Sequence, residues 1–245
     1  MGAVHGVHLK YAAMSLASGA SALYYQEPWE DHPHTHTCVI AFLWYAAAVH
    51  ALITSLFISR QGEWIIGKRA TDGTLPVWSL LVWFAFHAPT WLYTWVHTKL
   101  SAVPVASEVL PGWWIGGRYA HHLPGARRWA CTIDLTVEFP EGCFRESAEY
   151  LLLPVWDGTP PVPAEIERAA RLAAECRPRG HVMVHCAHGR GRSTCVMVAC
   201  LVRAGAFDSW RDAFEAVRKE RKGVKLNKKM RDALDQWAAK YPHAP

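Results

Sequence analysis

Five residues separate Cys186 from Arg192 in the run His185-Cys186-Ala187-His188-Gly189-Arg190-Gly191-Arg192-Ser193. A phosphate monoester needs what such a run can supply. In a tight turn, the backbone N–H groups of Ala187, His188, Gly189, Arg190 and Gly191 form an anion nest, and a helix starting near Ser193 adds the positive end of its dipole. Gly189 and Gly191 let the backbone curl and approach the phosphate closely. The Arg192 guanidinium can fork onto two phosphate oxygens, a geometry lysine does not offer. The same nest and dipole favour a thiolate, so Cys186 is the candidate nucleophile. Each feature alone is common; in this order they point to phosphoryl transfer through a cysteine.

The leaving alcohol must also receive a proton. Asp157, in Pro154-Val-Trp-Asp-Gly-Thr-Pro-Pro, lies 29 residues before Cys186. Gly158 and the surrounding prolines predict a mobile loop of the kind that carries a lid acid. Asp134, on a strand, is the runner-up, and Glu138 and Glu141 are weaker alternatives. The implied reaction has two steps. Cys186 attacks phosphorus while Asp157 protonates the leaving oxygen; water activated by the same carboxylate then cleaves the cysteinyl phosphate.

These residues need a scaffold. Gly112 to Arg118, Trp129 to Thr136 and Tyr150 to Val155 read as short strands, as does the apolar run before Cys186. Helices are expected over Pro163–Cys176, Ser193–Ala204, Ser209–Lys222 and Asn227–Lys240. Pro163 suits a first turn and Asn227 an N-cap. Alternating strands and helices predict an α/β fold with a mostly parallel central sheet, the nucleophile beyond the carboxyl end of a strand. Ser101 to Pro111 reads as a linker.

The first 98 residues are different. They hold four Lys/Arg and five Asp/Glu, against 22 and 16 in residues 99–245, and seven of the thirteen tryptophans. Cys38 to Ser59 is uncharged and, as a helix, about 33 Å long, enough for a hydrocarbon core of about 30 Å. Leu75 to Val96 is a second uncharged run, with Pro89 inside it. Together they predict a transmembrane hairpin, spans about 38–59 and 75–96, joined by a polar turn from Arg60 to Thr74. Ala12 to Leu23 is a candidate surface helix, third span or targeting segment. Arg60, Lys68 and Arg69 favour a cytosolic turn. A hairpin, however, puts the turn opposite the catalytic domain, and a thiolate also belongs in a reducing compartment. The two signals conflict unless the spans are odd in number.

His32, His34 and His36 alternate in a Pro-containing loop without acidic or Cys partners at ligand spacing, so no metal and no cofactor is expected. Seven irregularly spaced cysteines argue against a disulfide framework and for the cytosol or a reducing organelle interior. The basic stretch from Arg218 to Arg231 suits a solvated helix face or anionic lipid better than nucleic acid.

The loop around Cys186 resembles that of the cysteine-based phosphatases, in particular the dual-specificity branch. The opening Gly112-Trp-Trp-Ile-Gly-Gly-Arg strand and Pro154-Val-Trp-Asp-Gly are similar to corresponding family segments. With Gly67-Lys-Arg-Ala-Thr-Asp-Gly-Thr-Leu-Pro-Val-Trp and Asp134-Leu-Thr-Val-Glu-Phe-Pro, nearly the whole chain resembles a membrane-anchored subgroup. The likeness implies the cysteine-phosphatase fold in residues 99–245, a role for Ser193 in easing thiolate departure, and a loop-orienting role for His185. His188 departs from the Lys that lipid-directed relatives often carry; Arg190 supplies the extra charge. The implied substrates are proteins phosphorylated on Tyr, Ser or Thr, or a phospholipid headgroup such as a phosphoinositide or phosphatidylglycerophosphate. An inactive, tethered phosphate-binding module is the remaining reading.

Overall fold

The computed structural model describes residues 6–27, 32–123 and 128–242. Five strands form one sheet: β1 (Ala106–Leu110), β2 (Trp113–Gly116), β3 (Trp129–Thr136), β4 (Ser147–Val155) and β5 (His181–His185), in the order β1-β2-β5-β3-β4. β1 runs antiparallel to β2; every other neighbouring pair is parallel. Parallel strands are buried on both faces, and β3 is buried along its whole length. Four helices complete this half: α5 (Pro163–Cys176), α6 (Arg192–Arg203), α7 (Trp210–Glu220) and α8 (Lys228–Lys240). α6 is enclosed almost entirely, its Cys195 to Leu201 run sealed in the main core beside Ile133, Val184 and Leu234. Local chemistry sets several helix starts. Pro163 opens α5, and the side chains of Ser209 and Asn227 accept the N–H groups of Asp212 and Met230 (3.2 and 2.9 Å). The expected linker is not all linker, because residues 106–110 supply the edge strand.

The N-terminal half is a helical layer: α1 (Val7–Tyr24), α2 (Pro33–Ser59), α3 (Val77–Val82) and α4 (Phe84–Leu100). α2 begins five residues earlier than expected, so His34 and His36 lie in its first turn rather than in a loop. It is the one described helix both long and apolar enough to cross a membrane, with mean hydropathy 1.9. α1, which contains the Ala12 to Leu23 run, packs along α2. Ser15 Oγ donates to the carbonyl of Ala47 (2.9 Å), and Gly19 leaves room opposite the Ala47 methyl.

The second expected span is not one helix. It breaks at Trp83, ahead of Pro89, where the indole Nε1 donates to the carbonyl of Ile65 (3.1 Å). α4 then lies against the sheet domain, its Trp91 Nε1 donating to the carbonyl of Glu138 (2.8 Å). It also runs through the expected boundary at residue 98.

The polar turn does not sit free either. Lys68 is buried against Asp134 of β3, and Glu141 N–H donates to the carbonyl of Gly73 (2.9 Å). Trp156, fully buried, donates from Nε1 to the carbonyl of Gln61 (3.0 Å) and packs at a tilt against the Phe57 ring of α2. The segment after α2 therefore lies on the same side as the sheet domain.

Candidate active site

β5 delivers the loop and α6 begins where it ends. Cys186, 3% exposed, follows the last residue of β5; its N–H donates to the carbonyl of Gly116 (3.2 Å). Its Sγ lies 3.3 Å from Ser193 Oγ. Burial works against the thiolate, but the Arg192 charge, the Ser193 hydroxyl and the backbone N–H groups of Ser193 and Arg190 hold the thiol below its usual pKa. Of the two loop glycines, Gly189 is the one in the left-handed region (φ 66°), and a Cβ there would meet the Gly116 carbonyl at 2.6 Å. Gly191 has negative φ and precedes the first residue of α6.

Arg192 is 1% exposed. Its Nη1 donates to the carbonyls of Leu135 (3.0 Å) and Val155 (2.9 Å) and to Glu138 Oε2 (3.1 Å); Nη2 donates to Glu138 Oε1 (2.6 Å). Nη2 also lies 3.3 Å from Asp157 Oδ1. Its Nε–H has no partner among the described residues, leaving a donor for a phosphate oxygen. Burial raises the cost of Glu138's charge, yet Arg192 holds that carboxyl below its usual range. Glu138 thus positions the guanidinium and is not placed as an acid.

Asp157 sits in a pinned turn rather than the expected mobile lid. Thr159 N–H donates to the Trp156 carbonyl (3.0 Å), Gly158 takes φ 79°, and Asn227 Nδ2 donates to the Gly158 carbonyl (2.7 Å). Its side chain is 38% exposed, toward the cavity. Burial lifts its carboxyl above the usual range, Arg192 opposing and Glu138 adding to the rise. A raised carboxyl pKa suits a proton donor.

The alternative acids are otherwise engaged. Asp134 is bound by Lys68 and by Tyr150 Oη (3.0 Å) and accepts from Thr136 N–H (2.8 Å). Glu141 meets His185 Nε2 at 2.5 Å. Burial disfavours the imidazolium, but Glu141 and Asp134 lift His185 to about 9, so it is charged near neutral pH. His185 is thereby fixed beneath the loop. His188 projects over it, packed on His97 and Tyr93 of α4; burial, then His97 and Arg190, lower it to about 3. Arg190 turns its side chain toward α4 and the segment after it: its Nη2 donates to Ser101 Oγ (3.1 Å) and its Nη1 lies 3.4 Å from His97 Nε2.

Two supports went unread in the sequence. Arg221, inside the basic stretch, is 2% exposed and clamps the loop from behind. It donates from Nε to the carbonyl of Gly189 (2.8 Å) and from Nη2 to that of His188 (3.2 Å). Lys68, also donating to Thr136 Oγ1 (2.8 Å), neutralises the acids around His185. Asp134, Glu141 and His185 are close enough to share a metal ion, but Lys68 already bonds Asp134 there.

Residues 128–240 match the family profile described as dual specificity phosphatase, catalytic domain. They form a dual-specificity phosphatase domain, a cysteine-based hydrolase. The phosphatase domain is similar to solved structures of human DUSP28 (20% identity, 57% of this chain, 97% of that one, TM-score 0.47) and of Tk-PTP in its active form (25%, 56% and 97%, 0.48). It is also similar to PTPMT1 in complex with PI(5)P (18%, 56% and 96%, 0.47). No curated protein matches the chain by sequence.

Proposed function

We propose that the chain is a membrane-anchored phosphomonoesterase that works through a cysteinyl phosphate. The observation that carries this reading is the grouping at the Cys186 loop, where Cys186 meets Ser193 and the Arg192 charge and Arg192 meets Asp157, with the thiol depressed and the carboxyl raised. The Cys186 thiolate attacks phosphorus, the ester P–O bond breaks, and Asp157 gives its proton to the departing oxygen. Water then attacks phosphorus, losing its proton to Asp157, and the S–P bond breaks to return the thiolate and release phosphate. Ser193 donates toward the departing sulfur. The backbone N–H groups from Ala187 to Arg192 and the Arg192 side chain hold the phosphoryl oxygens.

Anchoring rests on α2, paired with α1 as a hairpin whose two free ends lie beside the phosphatase domain. This arrangement places Arg60, Lys68 and Arg69 on the catalytic side and removes the conflict between charge and topology. All seven cysteines are unpaired, in keeping with a reducing compartment. Residues 1–98 are the membrane region and 99–245 the catalytic domain, with α4 shared between them. The candidate substrates are phosphorylated Tyr, Ser or Thr of a protein, or a phospholipid headgroup.

The test is turnover of an aryl phosphate by the full chain in detergent, beside its Cys186→Ser form. Turnover that disappears in the Ser form supports the mechanism; binding of phosphate analogues without turnover by either form identifies an inactive module instead.

A further inference from the structure

The nucleophile does not open directly to solvent. Above it lies a cavity of about 260 Å³, floored by Ala187, His188, Glu138 and Asp157 of the phosphatase domain and roofed by the N-terminal helices. The roof is mostly apolar: Val7 and Met14 come from α1, Phe57 from α2, and Phe86 and Pro89 from α4, with the hydroxyl groups of Tyr11 and Thr90 bonded to each other among them. One cation enters it, Lys10 of α1, whose Nζ stands 4.4 Å over the ring of Tyr93. The outward faces of the same helices are apolar and exposed, Leu9 and Leu16 on α1 and Leu92 and Trp95 on α4.

We propose that this cavity accepts the alcohol part of an acyl-chain-bearing phosphomonoester, its phosphate on the Cys186 loop, its anionic headgroup beside Lys10 and its chains against α1 and α4. The proposal rests on the phosphatase reading of the same site. A chamber walled by Val, Met and Phe rewards a leaving group with apolar surface to bury. A phosphorylated side chain on a folded protein would have to bring its flanking backbone under α1 and α4, where few polar partners await it. A lipid reaches the roof from the apolar surroundings its outward face already suits.

The experiment uses the full chain in mixed micelles. Phosphatidic acid and a phosphatidylinositol monophosphate are each compared with their deacylated counterparts, with a phosphotyrosyl peptide and with an aryl phosphate. The expected result is that at least one acylated ester exceeds its deacylated form in kcat/KM by about tenfold or more, as burial of even two methylenes would give, and exceeds the peptide. Met14→Asp, which places a charge on the apolar wall, lowers the acylated-to-aryl rate ratio about tenfold. Its aryl phosphate rate reports whether the site is still folded. Lys10→Glu, at an exposed position, carries the test if Met14→Asp does not fold; it raises KM for the anionic acylated ester. Equal rates with and without acyl chains, or a faster peptide, overturn the proposal while leaving the phosphatase intact. Absence of Cys186-dependent turnover on every ester, the aryl phosphate included, defeats the phosphatase reading itself.

Discussion

The two halves of this molecule treat apolar side chains in opposite ways. Among the described residues, every large hydrophobic side chain left exposed lies in residues 1–100 except Val162; Leu16 is 75% exposed, Leu81 70% and Trp64 80%. The phosphatase domain instead seals its apolar residues around α6 and β3. A domain that closes its own core needs no partner, whereas a helical layer that leaves this much apolar surface open marks an interaction surface. Yet the layer is not merely a tether. Its core includes Val137 and Trp156 of the phosphatase domain together with Tyr11, Phe57 and Phe86. Trp156 directly precedes Asp157, so the N-terminal layer also holds the turn that carries the acid.

The largest test of this comparison is deletion of residues 1–100. If the layer were only an anchor, the remainder would be a soluble, active enzyme. The shared core makes the opposite outcome the expected one: loss of turnover and aggregation, since Trp156 and the site of Lys68 would be laid open. Trp156→Ala asks the same question without removing the layer. A fully buried Trp replaced by Ala costs about 3–5 kcal/mol, and the melting temperature in detergent should fall accordingly. The residual enzyme should lose kcat more than KM, because the turn carrying Asp157 loses its support.

Lys68→Met comes next. It leaves Asp134 and Glu141 buried with the His185 imidazolium as their remaining cation, and breaking a buried pair in this way costs up to about 3–5 kcal/mol. The double change Lys68→Met with Asp134→Asn should recover part of that loss; no recovery would show that the pair does not couple the two halves.

What could be read in advance follows from how far each partner lies along the chain. The Cys186 loop, the start of α5 at Pro163 and the cap at Asn227 are local, since residues a few positions apart create the geometry. Lys68 and Asp134 meet across 66 residues, and a lysine in a Gly- and Thr-containing turn reads as solvated until its partner is seen. Arg221 lies among surface cations and differs from them only in what folds over it. β1, Ala-Ser-Glu-Val-Leu, has too little alternation to announce an edge strand. The 75–96 run misled by composition: its Trp and Phe residues are as apolar as a span requires, but Trp83 and Trp91 spend their indole N–H groups on the carbonyls of Ile65 and of Glu138 in the phosphatase domain.

The pH profile sharpens the comparison at the site itself. Cys186 is held below the usual thiol value and Asp157 above the usual carboxylate value. The thiolate form is therefore gained on the acid side of an ordinary cysteine, and the protonated acid is retained to the alkaline side of an ordinary aspartate. The kcat/KM profile of the full chain should be a bell whose alkaline limb disappears in Asp157→Asn; a limb that persists would mean Asp157 is not the acid. Stability has its own window. His185 is raised from 6.5 to about 9 in the folded chain, so the stability it contributes is complete below about 6.5 and is lost as pH rises through about 9. Glu141→Gln should flatten that loss in a series of melts.

The smallest expected effect concerns the α1–α2 pair. Helices in lipid gain no hydrophobic drive from meeting each other, so close packing of small residues and hydrogen bonds between helices must hold them together. α1 is rich in Ala, Ser and Gly, which weakens its hydropathy signal and at the same time lets it approach α2: Ser15 Oγ reaches the Ala47 carbonyl, with Gly19 one turn along. Ser15→Ala removes a bond worth about 0.6 kcal/mol in a membrane setting, a shift of a few degrees at most in melting. Gly19→Leu, which puts bulk where the Ala47 methyl and Trp44 ring stand, should separate the helices and lower melting several times further. If α1 instead lay on the bilayer surface, the opposite order would hold. Leucine at position 19 would then add apolar contact with lipid and raise stability, and Ser15→Ala would be silent.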